Sequence, residues 1–392
     1  MLTVLRKNRI IKLCRPANLE RVFSTAENAS VVRNDWTREE IQKIYDLPLM
    51  DLVFKAASVH RQYFNPLEVQ QCTLLSIKTG GCTEDCKYCS QSSRYKTHVK
   101  PTPTMKAKEV LDAARAAKAS GSTRFCMGAA WREVGKDKDR KAFDSVLNLV
   151  REVKSLDMEV CCTLGMLTPD QAKKLKDAGL TAYNHNLDTS PEFYPNIITT
   201  RSFQDRLNTL EAVREAGLSV CCGGILGLGE TARDRVGLLH TIATLPSHPE
   251  SVPINALVVV DGTPLEGASP PTAIDMTRMI ATTRVVLPQT MVRLSAGRMS
   301  FSESEQGLMF MAGANSIFYG DTLLTTPNPE TDRDRLMFKS LGLVGKKAHS
   351  APLHAPSSLS PEAITPTEND IQKDNMITYV EGHSGYKQMT VV

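Results

Sequence analysis

Residues 158–188, MEVCCTLGMLTPDQAKKLKDAGLTAYNHNLD, contain one complete repeat of the pattern that determines the fold. A short apolar run at 158–164 precedes an amphipathic segment at 170–178, which ends at Gly179, and a second apolar run follows at 181–187. The short runs predict strands, and the amphipathic segment predicts a helix that ends at a glycine. Because strands joined by helices of this length pair in parallel, the stretch predicts a right-handed βαβ unit.

The same alternation of strand and helix recurs along most of the chain. Strands are predicted at 73–77, 123–127, 158–164, 181–187, 218–225, 254–260, 291–295 and 315–319. Amphipathic segments separate these strands, among them 106–119 and 204–216. Eight such units favour an α/β protein built as a (β/α)8 barrel of the TIM type. An open, doubly wound sheet is the alternative.

The two ends of the chain differ from this repeating part. The first 23 residues are basic and poor in acids, as in a mitochondrial transit peptide, although a frayed terminus of a cytosolic protein has the same composition. Thr37 is the predicted N-cap of a helix at 35–64. The predicted domains are a transit peptide at 1–23, a helical extension at 24–66, the barrel at 67–345 and a low-complexity, disordered tail at 346–392.

The composition argues against several classes of protein. The 392 residues carry a formal net charge of only +4, with no basic stripe, which argues against a nucleic-acid partner. No apolar run approaches the roughly 18 residues that a membrane span requires. Ten cysteines without a secretory signal are more typical of intracellular thiols, available as metal ligands, than of a disulfide framework.

Alternation of side chains along the strands divides the cysteines between two faces. In the strand at 158–164, Cys161 shares a face with Glu159 and Thr163, whereas Cys162 lies with the apolar residues. The apolar face of a barrel strand packs against the outer helices, so Cys161 is predicted to point inward and Cys162 to be a packed thiol. The same test on the other strands gives an interior set of Cys126, Cys161, Cys221 and Arg293. This set indicates a four-ligand metal site, for which a 2Fe–2S cluster is a good candidate; buried structural thiols are the alternative.

Three further cysteines follow the first predicted strand. Residues 80–91 read GGCTEDCKYCSQ, so Cys82, Cys86 and Cys89 form a Cys-x3-Cys-x2-Cys motif. The loop lies at the carboxyl ends of the strands, where barrel active sites are built. Three thiolates can hold three corners of a 4Fe–4S cluster and leave one iron open, as a catalytic metal requires. A zinc site with a distant fourth ligand, or three unrelated thiols, are the alternatives.

The cysteine motif, with Tyr88 before its last cysteine, is similar to the signature of the radical S-adenosylmethionine superfamily. Further blocks narrow the resemblance to the biotin synthase family. These blocks are SIKTG at 76–80, SRYKT at 93–97, GSTRFCMGAAW at 121–131, YNHNLDTS at 183–190, GGILGLGE at 223–230, VRLSAGR at 292–298 and MAGANSIFYG at 311–320. The resemblance covers about 67–345.

The resemblance implies two iron–sulfur clusters and S-adenosylmethionine as cofactors. It implies that the 4Fe–4S cluster is held by Cys82, Cys86 and Cys89. It implies that the 2Fe–2S cluster is held by Cys126, Cys161, Cys221 and Arg293. The implied contacts of S-adenosylmethionine are Tyr88, Asn186, Asp188 and Arg206, and those of the substrate are Asn184 and Asn255. Each of these asparagines and the aspartate has an alternative role as a turn or helix cap.

The activity that the resemblance implies is insertion of sulfur between C6 and C9 of dethiobiotin, which forms biotin. Two molecules of S-adenosylmethionine are cleaved to methionine and 5′-deoxyadenosine, and the 2Fe–2S cluster supplies the sulfur. The implied partners are a reduced electron donor of the ferredoxin or flavodoxin type, the iron–sulfur assembly machinery and a second copy of the chain. The location implied by the leader is the mitochondrial matrix.

Two other classes of function are open at this point. Another radical S-adenosylmethionine enzyme, one that inserts sulfur into a protein-bound octanoyl chain, would be expected to carry a second cysteine-rich motif outside the barrel, and the sequence has none. A non-catalytic iron–sulfur or zinc protein is the other alternative. Iron and sulfide analysis of a reconstituted sample distinguishes it from the enzyme.

Overall fold

The computed structural model describes residues 32–135, 140–320, 323–326, 328–329 and 331–348. The predicted transit peptide at 1–23 lies outside these ranges, as does the predicted tail beyond residue 348. No helix in the described part of the chain is both long enough and apolar enough to cross a bilayer.

The strands form a closed parallel barrel. The described strands are β1 (Glu68–Lys78), β2 (Arg124–Ala129), β3 (Glu159–Thr163), β4 (Ala182–Asn184), β5 (Ser219–Cys221), β6 (Gly224–Leu226), β7 (Ser251–Ala256), β8 (Met291–Leu294), β9 (Ser316–Phe318) and β10 (Val344–Gly345). Eight of them pair in the order β1-β2-β3-β4-β5-β7-β8-β9, and β9 pairs back with β1. The predicted (β/α)8 barrel is confirmed. β6 continues beside β7, and β10 extends the edge of β1.

Helices follow the strands along the chain. The described helices are α1 (Arg38–Tyr45), α2 (Leu49–Tyr63), α3 (Ala107–Ala119), α4 (Arg140–Lys154), α5 (Pro169–Asp177), α6 (Phe203–Glu215), α7 (Ala232–Ala243), α8 (Ala273–Val286), α9 (Glu303–Met311) and α10 (Thr331–Leu341). Several begin with a capping box, in which a Ser or Thr and an acid or Gln three residues later bond each other's backbone N–H groups. The N-caps are Thr37, Thr168, Ser202, Thr231, Thr272 and Ser302.

The helix predicted at 35–64 is wrong as a single element. Thr37 does cap its start, but the chain breaks between α1 and α2, where Pro48 is the N-cap of α2. Proline has no N–H and its ring clashes with the preceding turn, so it begins a helix but does not continue one. From α8, Arg278 donates hydrogen bonds to the carbonyls of Tyr45 and Leu47, which fixes the break against the barrel.

Two strands differ from their predicted positions. The strand predicted at 254–260 is β7, which begins three residues earlier, and the strand predicted at 218–225 is divided into β5 and β6. At Gly223, between them, a Cβ atom would lie 1.9 Å from the carbonyl oxygen of Pro253. Only glycine permits this close approach of β7, and the strand is interrupted there.

Two of the apolar clusters in the described part of the barrel separate the cysteines of the strands. The larger lies between strands and helices and contains residues such as Val160, Cys162, Leu175 and Cys222. A small cluster inside the barrel consists of Cys72, Cys126, Cys161 and Ala182. The structure thus places Cys161 and Cys162 in different layers, as the alternation predicts.

A buried ion pair attaches α10 to the barrel. Arg298 follows β8, and its guanidinium donates to both carboxylate oxygens of Asp334 on α10. Both side chains are only 1% exposed. The same guanidinium donates to Gln306 on α9 and to the carbonyl of Phe318 on β9. Arg298 therefore joins the last two helices to the strand that closes the barrel.

We expect Arg298→Met to lower the free energy of unfolding by about 3–5 kcal/mol, because Asp334 would then be a buried charge without its partner. Burial already raises the pKa of Asp334, and Arg298 opposes that rise. In the variant the carboxyl should take up a proton, so the loss should be smaller near pH 5 than near pH 8. Urea unfolding at both pH values measures it.

The matched control is Arg335→Met, which removes an exposed pair with Asp332 on the same helix. Its effect should be small at both pH values. Equal losses for the two variants would contradict a structural role of the buried pair.

Candidate functional site

The three-cysteine motif forms a compact loop beyond the carboxyl end of β1. Cys82 donates its backbone N–H to Gln91 and accepts one from Ser93, and the N–H of Cys89 donates to Cys86. Cys86 is buried, while Cys82 and Cys89 are half-buried, and all three thiols are free. Burial raises the pKa of Cys89 to about 11 and raises that of Cys86 further. These thiols therefore need a bound cation to become thiolates at neutral pH.

A cavity of about 350 Å³ extends from this loop into the barrel. Of the predicted site residues, those that line it are Cys82, Cys86, Tyr88, Cys89, Cys126, Cys161, Asn184, Asn186, Asp188, Arg206, Asn255 and Arg293. Cys221 does not line the cavity, but it lies 3.7 Å from Arg293, measured from its Sγ to Nη1. The structure thus brings the predicted residues of two sulfur-rich sites to one cavity.

Asp188 is the centre of a buried hydrogen-bond network beside the cysteine loop. Its Oδ2 accepts from the hydroxyl of Tyr88 at 2.7 Å and from Nη2 of Arg206 at 2.5 Å. Arg206 also donates to the hydroxyl of Tyr194 and to the carbonyl of Asn186. These contacts use three of the five N–H groups of Arg206, so two are left for the ligand contact predicted for it. Asp188 has φ +68°, a strained conformation that often marks functional sites.

The three predicted asparagines are held by hydrogen bonds within the barrel. Asn184 donates to Thr163 at 3.1 Å, and Asn186 accepts from the N–H of Gly223 at 3.1 Å. Asn255 donates to the carbonyl of Gly224 at 2.9 Å and accepts from the N–H of Ala296 at 3.2 Å. The amide of Asn255 therefore supports the strand ends, and one N–H and one oxygen lone pair are left over by these two bonds.

Cysteines and an arginine meet at the interior end of the cavity. Cys126 and Cys161 are direct neighbours across β2 and β3. Arg293, only 1% exposed, contacts Cys221 through Nη1 and donates through Nε to Ser316 at 3.0 Å. Its guanidinium lies 4.9 Å from the centre of the Phe318 ring. A buried arginine whose contacts are thiols, a hydroxyl and a ring suits an anionic group bound beside it.

Cys72 is an interior thiol that the sequence interpretation missed. It lies on β1, fully buried, and its Sγ is 3.3 Å from Nη2 of Arg293. The predicted strand began at Thr73, five residues after the start of β1, so the alternation test did not reach this cysteine. Cys72 lies on the same strand face as Leu74, which lines the cavity. Had the predicted strand included Cys72, the alternation test would have placed this thiol on the inward face.

The sequence interpretation also missed two charged residues at the cysteine loop. Glu84 and Arg201 both line the cavity and are nearly buried, 3.9 Å apart. Nε of Arg201 and Oε1 of Glu84 are the two atoms of this ion pair, and Oε1 also lies 3.4 Å from Nη1 of Arg132. Glu84 and Arg201 therefore give the cavity a charged lining beside the cysteine loop.

The donor set fits iron–sulfur clusters better than a single ion. In the described ranges, no three His, Cys, Asp or Glu side chains are close enough to bind one metal ion together. A cluster spreads its thiolates over several iron atoms and therefore accepts a wider spacing. Soft thiolate ligands also favour iron–sulfur centres over ions that prefer oxygen.

Comparison with known protein families establishes the class. A model described as the radical SAM superfamily matches residues 76–242, and one described as the biotin and thiamin synthesis associated domain matches 253–344. Among solved structures, methylornithine synthase has a TM-score of 0.68 and 19% identity, covering 79% of this chain and 94% of that one. The FeFe-hydrogenase maturase HydG from Carboxydothermus hydrogenoformans has a TM-score of 0.68 and 16% identity, with coverages of 79% and 76%. The chain is a radical S-adenosylmethionine enzyme.

Relatives with higher identity define the family. The mitochondrial biotin synthase of Arabidopsis thaliana is 63% identical over 315 residues, which cover 80% of this chain and 82% of that protein. The biotin synthase of Schizosaccharomyces pombe is 60% identical over 321 residues, covering 81% and 88%. The chain belongs to the biotin synthase family.

We expect Asp188→Asn to lower the free energy of unfolding of the metal-free protein by about 3–5 kcal/mol, because Arg206 would remain charged and buried without its partner. The double variant Asp188→Asn/Arg206→Met removes both charges and should recover much of that loss. Urea unfolding of the four proteins gives the coupling energy. A double variant no more stable than Asp188→Asn alone would contradict the pairing.

Proposed function

We propose that this chain converts dethiobiotin to biotin in the cavity, with an iron–sulfur cluster at each end. The observation that carries the proposal is the common cavity itself. The cysteine loop lies at its outer end, and three interior thiols and Arg293 lie at its inner end. Breaking an unactivated C–H bond lies beyond ordinary acid–base groups, so the cofactors must supply that chemistry while the protein supplies position and shelter.

The residues proposed to hold the outer cluster, 4Fe–4S, are Cys82, Cys86 and Cys89. Three thiolates leave one iron for S-adenosylmethionine, and the bound cluster would supply the electron that cleaves it. The ion pair of Arg201 and Glu84 borders this place and makes the wall of the cavity polar, which suits a polar ligand there.

The residues proposed to hold the inner cluster, 2Fe–2S, are Cys126, Cys161, Cys221 and Arg293. The supporting facts are the direct pairing of Cys126 with Cys161 and the contact of Arg293 with Cys221. Burial within the barrel excludes bulk water from this end, which protects a sulfur source from competing reactions.

The network around Asp188 is proposed to bind S-adenosylmethionine. Tyr88 and Arg206 orient the Asp188 carboxylate, which accepts hydrogen bonds and so suits a pair of ribose hydroxyls. The two remaining N–H groups of Arg206 suit the carboxylate of the cofactor. Asn186 is fixed by the backbone of Gly223, on the same side of the cavity.

Asn184 and Asn255 are proposed to contact dethiobiotin. An amide that offers both a donor and an acceptor matches a ureido ring. Asn255 has one of each left over by its two backbone bonds, and those bonds fix its orientation before substrate arrives. A contact that is positioned in advance costs less conformational entropy on binding.

The remaining proposals concern the setting of the enzyme. We propose a matrix location, with 1–23 as the transit peptide and 346–392 as a low-complexity tail; the mitochondrial Arabidopsis relative supports the compartment. A reduced ferredoxin or flavodoxin as electron donor, the iron–sulfur assembly machinery and a second copy of the chain are the proposed partners.

Anaerobic incubation with dethiobiotin, S-adenosylmethionine and a reductant should yield biotin and 5′-deoxyadenosine. Cys86→Ala should yield neither, because it removes a proposed ligand of the outer cluster. Mass spectrometry measures both products. Biotin formation by a sample that contains zinc and no iron would overturn the proposal.

Neighbouring cysteines test the inner cluster. Cys161→Ala and Cys221→Ala should lose the optical signature of 2Fe–2S after reconstitution, because each removes a ligand. Cys162→Ala and Cys222→Ala should keep it, because these thiols lie in the outer apolar layer. Iron and sulfide counts with the visible spectrum measure the outcome, and the reverse pattern would exchange the roles of the two faces.

A further inference from the structure

Among the described residues, Cys72 is the interior thiol to which the proposed function gives no role. Its side chain is fully buried in the same small cluster as Cys126 and Cys161. In the β1–β2 register, Leu74 is the partner of Cys126, so Cys72 lies two residues away along the inward face. Cys126, Cys161 and Arg293 therefore line the inner end of the cavity, and Cys72 and Cys221 contact Arg293 there.

The guanidinium of Arg293 lies between two of these thiols. Nη1 is 3.7 Å from Sγ of Cys221, and Nη2 is 3.3 Å from Sγ of Cys72. In a tetrahedral site with metal–sulfur bonds of about 2.3 Å, neighbouring ligand atoms are about 3.7 Å apart. Each sulfur is thus about as close to a nitrogen atom of Arg293 as two ligands of one metal ion are to each other. These nitrogen atoms are the ones proposed to bind iron.

The other buried arginine of this region does not compete for these thiols. Arg124 on β2 donates to Glu159 on β3 at 2.7 Å, and both side chains are largely buried. Its charge is therefore balanced by a carboxylate. Cys72 and Cys221 are left as the sulfur contacts of Arg293.

We propose that Cys72 is an exchangeable fourth thiol ligand of the inner cluster, able to replace Arg293 at the same iron. The inference rests on the proposed function. In the exchange, the Arg293–iron bond breaks and an iron–thiolate bond to Cys72 forms, while the Cys72 S–H proton passes to the released guanidine of Arg293, 3.3 Å away, with no change in oxidation state. Four thiolates are the ordinary ligand set of a 2Fe–2S cluster, so the exchanged site is chemically complete.

The test compares Arg293→Ala with the double variant Arg293→Ala/Cys72→Ala after anaerobic reconstitution. With Cys72 present, Arg293→Ala should keep its 2Fe–2S cluster, and its resonance Raman spectrum should show four thiolate ligands. The double variant should hold about tenfold less of that cluster, since a protein ligand has been lost outright. Cys72→Ala alone should keep the cluster, because Cys126, Cys161, Cys221 and Arg293 remain.

Two controls separate the proposal from a folding defect. Arg293→Ala/Cys162→Ala removes a buried thiol from the outer layer and should behave as Arg293→Ala alone. The 4Fe–4S cluster, on a different loop, reports whether each variant is folded, and circular dichroism checks this independently.

Equal 2Fe–2S content in Arg293→Ala and the double variant with Cys72 would overturn the proposal, as would complete loss in Arg293→Ala. A parent protein that binds no 2Fe–2S cluster would instead refute the function on which the inference rests.

Discussion

In a closed barrel each strand must send alternate side chains inward, and this constraint positions every group at the inner end of the cavity. Cys126, Cys161, Cys221 and Arg293 come from β2, β3, β5 and β8; β2 and β3 are paired neighbours, whereas β5 and β8 lie elsewhere around the barrel. Closure through β9 and β1 brings Cys72 into the same space. A shift of one residue in β2 would exchange Cys126 for Phe125 or Met127 on the inward face.

Buried arginines form ion pairs that balance charge in the interior of the protein. Arg206 is paired with Asp188, Arg124 with Glu159 and Arg298 with Asp334. Each pair joins segments that are far apart in sequence, and each balances a charge that would be costly alone in the interior. Arg293 differs, since its described contacts are sulfur, hydroxyl and aromatic groups. That difference is the physical reason to expect an anionic cofactor beside it.

Strand alternation and the βα repeat were sufficient to predict the barrel and to distinguish Cys161 from Cys162. Both depend on local periodicity, which a single sequence displays. Strand ends are set by pairing with neighbours, which no local pattern reveals; this is why β1 was begun too late and Cys72 was overlooked. The break at Pro48 was readable from the sequence, because proline interrupts helices. The partners of Arg206 and Asn255 depend on side-chain packing across several strands, so periodicity did not foresee them.

The interruption between β5 and β6 affects the distance between two polar side chains of the cavity, Asn186 and Asn255. Asn186 accepts a hydrogen bond from the N–H of Gly223, and Asn255 donates one to the carbonyl of Gly224. Main-chain groups of two adjacent glycines therefore set the separation between the amide proposed to contact the cofactor and the amide proposed to contact the substrate. That separation is set by the main chain at Gly223, where the carbonyl of Pro253 leaves no room for a side chain. The distance between the radical precursor and the C–H bond that it attacks would thus depend on the course of the backbone at one interruption of a strand.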